Sequence, residues 1–186
     1  MKRAKAHQAP EKNTPRYFFA LWPDERTQKT LDQNAEIMTQ AVACTRSPAE
    51  NLHLTLNYLG ALTPAQYSKI KKLNCPISPF ELKLTKAAYC SQNQFAYFEP
   101  LPSDSLNALH AFLNQHLLEQ GFKPERRAFK PHITLARDYT HTLDACILKP
   151  IHWFAHELCL VQSIPHPNHP SQYQIIERTP LTLKTC

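Results

Sequence analysis

Glycine is nearly missing from this sequence, which has two in 186 residues against sixteen prolines. Such a chain turns at fixed corners and has few flexible loops. No apolar run approaches the length of a membrane span, and the first stretch, MKRAKAHQAPEKNTP, is basic and polar with no apolar segment behind its charges. Neither a spanning helix nor a secretory signal is expected, which leaves the cytoplasm as the expected compartment. No C-x-x-C pair occurs among Cys44, Cys75, Cys90, Cys146, Cys159 and Cys186. That argues against a zinc site or a redox motif, and in a cytosolic chain the six read as reduced thiols, mostly filling core space. No H-E-x-x-H is present either, so no metal and no cofactor are expected. Charge of one sign is not extreme. The formal net charge is +6, of which residues 1–15 hold +3 (Lys2, Arg3, Lys5 and Lys12 against Glu11). The remainder suits a phosphate-bearing ligand and ordinary solubility equally, and is too weak to argue nucleic-acid binding by itself.

What is present suffices for one domain: 42% of the residues are hydrophobic. Residues 1–15 read as a disordered basic tail and 16–186 as a single folded domain. RYFFALW (16–22) reads as a buried strand, and Pro23-Asp24 opens a helix to about residue 41 with Leu31, Ala35, Met38 and Val42 on one face. A strand over 52–59 ends at Gly60, and Thr63-Pro64 starts a short helix to about Leu73. Alternation in FELKLTKAAYC (80–90) gives a half-exposed strand, with QFAYFEP (94–100) as its hairpin partner. Ser103-Asp104 caps a helix over 104–120 with Leu106, Leu109, Leu113 and Leu117 as its stripe, stopped by Gly121. Strands over 131–136, 151–163 and 172–178 complete an α+β order, mostly antiparallel.

Two of these strands carry the same polar pair. ENLHLTLNYLG holds His53 and Thr55; FKPHITLAR holds His132 and Thr134, 79 residues later. Residues i and i+2 of a strand share a face. Each strand therefore turns a histidine and a threonine one way, and Leu54 with Leu56, or Ile133 with Leu135, the other way into the core. If the strands are neighbours, two imidazoles and two hydroxyls meet in one cleft. That set suits chemistry at phosphorus. A neutral imidazole takes a proton from water, an imidazolium gives one to the leaving alkoxide, and threonine hydroxyls donate to the non-bridging oxygens. A strained five-membered 2',3'-cyclic phosphate needs no metal for this. One H-x-T would be unremarkable among ten histidines; two copies followed by leucine, both on expected strands, point to function.

HLTL and HITL resemble the signature of the two-histidine (2H) phosphoesterase superfamily. With RYFFALWPDE at the start, the chain resembles the bacterial and archaeal RNA 2',3'-cyclic phosphodiesterases, formerly called 2'-5' RNA ligases, in element order over about residues 16–178. The resemblance implies a bilobal α+β fold, with two antiparallel β-sheets forming a central cleft and helices packed outside. It implies an enzyme that opens a 2',3'-cyclic phosphate on RNA or a nucleotide and leaves a 2'-phosphate; separately, a monomer is expected. By position, His53 matches the proton donor to the leaving 3'-oxygen and His132 the proton acceptor from water. Thr55 and Thr134 match the phosphate-holding threonines, and Arg137 an arginine near the base or phosphate. Tyr58 stands where the family usually has phenylalanine and can stack on a base. Strand parity puts Tyr58 and Arg137 on the face opposite their histidines, so they reach the cleft only where the strand ends or twists. A packed aromatic and a surface arginine are the alternatives for these two.

The same residues would serve 2'-5' ligation run in the reverse sense, or a module that holds nucleotide or RNA without turnover. Outside the motifs, His110 and His116 read as surface, and His152 and His156 as strand residues. Trp22 and Trp153 read as core, with base stacking as the alternative. Arg126, Arg127 and Lys130 could rim an RNA site, and Arg16 could point to the cleft.

Overall fold

Side chains decide where the helices begin. The computed structural model describes residues 14–71, 73–123, 127–141, 146–165 and 171–182; the tail expected over residues 1–15 lies outside them up to residue 13. Helix α1 (Glu25–Thr39) starts where the Asp24 carboxylate accepts from the Thr27 amide at 2.7 Å. Helix α2 (Pro64–Ile70) opens on a capping box between Thr63 and Gln66, with proline in the first turn. Helix α3 (Asp104–Glu119) starts where the Ser103 hydroxyl accepts from the Leu106 amide, and Gly121, at φ +83°, takes the left-handed turn after it. Leu106, Leu109, Leu113 and Leu117 are all buried. Because α1 ends at Thr39, Val42 leaves the helical stripe and packs instead beside Ala96, Ala136 and Tyr139. Among the described residues no helix is long and apolar enough to cross a membrane.

The strands are β1 (Arg16–Leu21), β2 (Thr45–Arg46), β3 (Leu54–Gly60), β4 (Phe80–Cys90), β5 (Phe95–Pro100), β6 (Ile133–Arg137), β7 (Cys146–Ala155), β8 (Glu157–Ile164) and β9 (Gln172–Pro180). They run in the order β7-β4-β5-β6-β3-β1-β8-β9, with β2 also on β6, and every strand pairing is antiparallel. The two lobes are the four-stranded halves β7-β4-β5-β6 and β3-β1-β8-β9. They join at the centre through one residue pair, Leu54 with Ile133. Helix α1 leaves β1 and lies against β6 and β7, while α3 leaves β5 and lies against β3. Each helix thus reaches over to the other half. Leu31 and Ala35 of α1, the α3 leucines, Leu54, Ile133, Phe98 and Trp153 share one apolar core. A smaller cluster of Phe18, Ala20, Trp22, Cys159 and Val161 lies apart from it.

Some expectations shift. The long strand over 151–163 is two strands separated at His156. Side chains alternate up to the break, Trp153 and Ala155 buried, Phe154 and His156 exposed; beyond it residues 158–161 are all buried, and the side facing the main core passes from Ile151, Trp153 and Ala155 to Leu158 and Leu160. The partner changes there as well: β7 lies on β4, and β8 lies between β1 and β9. The two-residue strand β2 and the 3-10 turn Ala49–Asn51 were not anticipated. Helix α2 is shorter than expected, and both motif strands begin one residue after their histidine. Cys75 and Cys159 are buried free thiols, Cys44 and Cys90 half-buried ones; Cys186 and the side chain of Cys146 lie outside the described residues.

Leu54 is wholly buried and forms the junction of the halves. Leu54→Ala is expected to lower stability by about 2–5 kcal/mol through lost apolar burial and the cavity left behind. Urea unfolding should show a lower midpoint with one cooperative transition retained; a midpoint equal to that of the wild type would contradict the shared core.

Candidate active site

The Leu54–Ile133 pairing determines where the two motifs lie. Carried one residue to either side, this antiparallel register sets His53 across from Thr134 and Thr55 across from His132. All four alternate with buried Leu54 and Ile133, so they share the opposite face. In a regular antiparallel ladder directly opposed residues are about 5 Å apart and diagonal ones about 7–8 Å, so this register brings the two imidazoles and two hydroxyls to one small area, with the histidines diagonal to each other.

The same irregularity in both strands brings Tyr58 and Arg137 to this face. In β3 the register against β1 slips so that Phe19 faces Asn57 while Ala20 faces Thr55, leaving Leu56 over. In β6 the register against β5 slips so that Ala96 faces Ala136 while Tyr97 faces Thr134, leaving Leu135 over. Each motif strand thus carries a bulge at the same place, with two successive buried residues: Leu56 and Asn57, Leu135 and Ala136. Past a bulge the side-chain parity is reversed. Tyr58 and Arg137, five residues after their histidines, therefore return to the cleft side, and both are exposed there.

One cavity of about 710 Å³ is lined by all six expected residues, His53, Thr55, Tyr58, His132, Thr134 and Arg137. It also contains residues the sequence did not single out: Phe18, Tyr173, Asn51, Ser163, Ser171 and the segment Thr45–Pro48. That segment forms a wall because β2 pairs with β6 and the Ser47 amide donates to the Leu135 carbonyl. Thr45 donates to Asp138 at 2.9 Å, and Arg46 is paired with Asp32 of α1 at 3.1 Å. Tyr58 also borders a second cavity of about 290 Å³ with Asn57 and Asn114.

Both imidazoles are tethered alike. His53 Nδ1–H donates to the Asn51 carbonyl at 2.7 Å, and His132 Nδ1–H donates to the Lys130 carbonyl at 2.8 Å. The carbonyl two residues earlier selects the tautomer and turns Nε2 toward the cleft. At His53 the Thr55 hydroxyl donates to Nε2 at 3.1 Å. The aromatic surroundings differ. His53 lies parallel to Trp22 at 4.8 Å and near-parallel to Phe18 at 5.0 Å, with Tyr173 edge-on at 5.2 Å. His132 has only tilted neighbours among the described residues, Phe95 at 5.4 Å and Tyr97 at 5.6 Å. Burial pushes the His53 imidazole down to about 4. The Asn51 hydrogen bond opposes this, and repulsion from His132 and Arg137 adds to it. Burial also raises the Tyr173 phenol, against the pull of Arg137.

Residues 23–163 match the 2'-5' RNA ligase superfamily. The chain belongs to that superfamily. It is 32% identical over 95 residues to the RNA 2',3'-cyclic phosphodiesterase of Bacillus subtilis (strain 168), covering 47% of this chain and 52% of that one. It is 28% identical over 90 residues to the RNA 2',3'-cyclic phosphodiesterase of Methanocaldococcus jannaschii, covering 47% and 51%. The chain thus spans about half the length of the curated relatives it matches. Its fold resembles that of E. coli LigT complexed with 3'-AMP, with a TM-score of 0.76 at 24% identity over 90% of this chain and 98% of that one.

Other candidates separate from this superfamily member's cleft. His110 and His116 are half-buried rather than surface residues. His110 lies flat on Phe129 at 3.9 Å, a cover supplied by the loop before β6, and burial lowers its pKa. His152 is on a strand, as expected, and bonds Glu81 across β4 and β7 at 2.7 Å; His156 is the exposed residue between β7 and β8. Among the described residues no three His, Cys, Asp or Glu side chains gather as metal ligands. Trp153 is core. Arg16 is exposed at the start of β1 and does not line the cavity. Arg127 and Lys130 are exposed; Arg126 lies outside the described residues.

The depressed His53 pKa has a definite sign for stability. Between the ordinary value of 6.5 and about 4, the unfolded chain holds a proton at His53 that the folded chain lacks. Stability should therefore fall as pH is lowered through that window, by up to about 3 kcal/mol from this group. Urea midpoints between pH 7 and 4.5 should drop less steeply in His53→Asn than in the wild type, and equal slopes would refute the assignment.

Proposed function

We propose that this protein hydrolyses RNA 2',3'-cyclic phosphodiesters to 2'-phosphomonoesters, using His53 and His132 as its proton-transfer pair and no metal. The observation that carries this reading is the single cavity lined by two imidazoles and two hydroxyls, those of His53, His132, Thr55 and Thr134, on either side of the Leu54–Ile133 pair. The names of the Bacillus and Methanocaldococcus relatives support the substrate class, and the LigT structure complexed with 3'-AMP supports a nucleotide ligand. All six residues come from one chain, in keeping with a monomer, and a cytoplasmic location belongs to the same reading.

The phosphate sits between the rings. A water oxygen bonds to phosphorus while its proton passes to His132 Nε2. The bond from phosphorus to the 3'-oxygen breaks, and His53 Nε2 gives that oxygen its proton. Thr55 and Thr134 donate to the non-bridging oxygens, Arg137 adds positive charge, and Tyr58 offers its face to a base. His53 is uncharged in the free protein near neutral pH, so it must take a proton from solvent as the substrate binds. An anion beside the ring favours the imidazolium and reverses part of the burial effect. Binding of a nucleoside 2'-monophosphate at pH 6 is accordingly expected to take up a proton. Calorimetry in buffers of different ionisation enthalpy measures this, and an uptake that survives unchanged in His53→Asn would refute the assignment.

His53→Ala and His132→Ala should each lower turnover about 10²–10⁴-fold. Thr55→Ala and Thr134→Ala should cost about 10–100-fold, the worth of one hydrogen bond to a charged group. The assay is RNA ending in a 2',3'-cyclic phosphate, with EDTA present. A 2'-phosphate product at undiminished rate is expected. A 3'-phosphate product, loss of activity in EDTA, or full activity in either histidine variant would overturn the proposal. Adding 5'-hydroxyl RNA to the same assay distinguishes hydrolysis from ligation, which would use the same residues.

A further inference from the structure

The internal symmetry of the site allows its two histidines to be compared neighbour by neighbour. Phe18 pairs with Tyr58 as Phe95 pairs with Arg137, Ala20 with Thr55 as Tyr97 with Thr134, and Leu21 with Leu54 as Phe98 with Ile133. Phe18 and Phe95 are equivalent, and each lies against its own histidine. The next positions differ. Tyr97 meets His132 edge-on, with its ring inclined at 72°. Its counterpart Ala20 has no ring to place there. One residue beyond Leu21 stands Trp22; one residue beyond Phe98 stands Glu99, which is exposed. The Trp22 indole lies 2° from parallel with His53, and Tyr173 closes the group from β9, edge-on to both rings.

We infer that Trp22 is a positioning residue that makes the two motif histidines unequal, fixing the plane of the His53 ring and excluding water from it, where the equivalent strand position in the other half holds an exposed glutamate, Glu99. Its role in turnover rests on the two-histidine reading above; its effect on the ring does not. Trp22 acts by covering an uncharged ring, so its removal should let His53 gain a proton more easily. The other groups facing His53 remain in place. Arg137 of β6 and His132 ahead of β6 oppose a proton there. Tyr173 of β9 stays a neutral phenol. Cys159 of β8, in the cluster with Trp22, is a thiol that burial pushes up to about 12. Only the cover changes, so the expected shift is partial.

The test compares Trp22→Leu with Trp22→Phe in the ligand-free protein, following the His53 ring by NMR. In Trp22→Leu the titration should move up from about 4 by about one pH unit or more, toward the ordinary value. In Trp22→Phe, which keeps a flat ring, it should stay low. In turnover the acid limb of kcat/KM, which reports groups of the free enzyme, should move up with it in Trp22→Leu and be restored in Trp22→Phe. A His53 midpoint unmoved in Trp22→Leu, or a loss of rate by the same factor at every pH, would overturn the inference. The unsubstituted protein supplies a measurement that needs no folded Trp22 variant. Indole emission should change through the His53 titration and lose that change in His53→Asn; emission flat across it would equally overturn the inference. An inactive protein that still shows the NMR shift would fault the proposed reaction and leave the role of Trp22 standing.

Discussion

A single cross-strand pair, Leu54 with Ile133, holds the site in register. Both side chains are wholly buried in the core shared by the two halves. Because side chains alternate along a strand, burying these two commits their neighbours to the cleft face. A slip of one residue would send His53 and Thr55 inward and bring Leu54 out, at the cost of burying unpaired polar groups. The hydrophobic effect thus enforces the placement of the polar side chains, although none of its force acts on the polar groups themselves. Helices α1 and α3 each cross to the opposite half and add to this, and side chains of both halves share one core.

Alternation alone would give the cleft two residues per strand and no more. The paired bulges extend it. Leaving Leu56 and Leu135 over reverses the parity, so that an aromatic and a cation join the histidines and threonines from the same short strands. The bulge in β3 has a cost. Asn57 is buried by it, and although its amide donates to Asn114 at 2.7 Å, its carbonyl oxygen has no partner among the described residues. A buried, half-satisfied amide of this kind is tolerated where the bend it accompanies has a use.

Which of these features could be read from the sequence follows from the range of the interaction behind each. His53, Thr55, His132 and Thr134 were legible because a two-residue period is local and two copies of it are improbable. The α3 stripe and the three caps were legible for the same reason. The bulges were not, since Leu56-Asn57 and Leu135-Ala136 break the alternation no more than an ordinary strand end does. The division at His156 was hidden because apolar residues run up to it on both sides: the core-facing side passes from Trp153 and Ala155 to Leu158 and Leu160 as the partner strand changes, and no local pattern encodes which partner each part takes. His110 looked exposed because its cover, Phe129, arrives from another segment. Trp22 looked like core, and it is buried; that its indole lies on His53 depends on the register between β1 and β3, which no local pattern encodes.

In the proposed reaction one ring gives a proton and the other takes one, so the two must differ; the surroundings do make them differ, but in the free protein they leave the proposed donor, His53, without its proton. Here the tethers are the same, a carbonyl two residues back on each Nδ1, so both Nε2 atoms are aimed alike. The rings around them differ, so His53 starts without its proton. By linkage, an anionic phosphate in the proposed site would use part of its contact with the charged ring in putting the proton on His53, so the stack lowers affinity for the anion relative to a ring already charged. A neutral ligand of the same shape would not charge the ring at all. Under the proposed function the stack on His53 therefore ties protonation of the donor to the presence of the phosphate, at a cost in binding free energy.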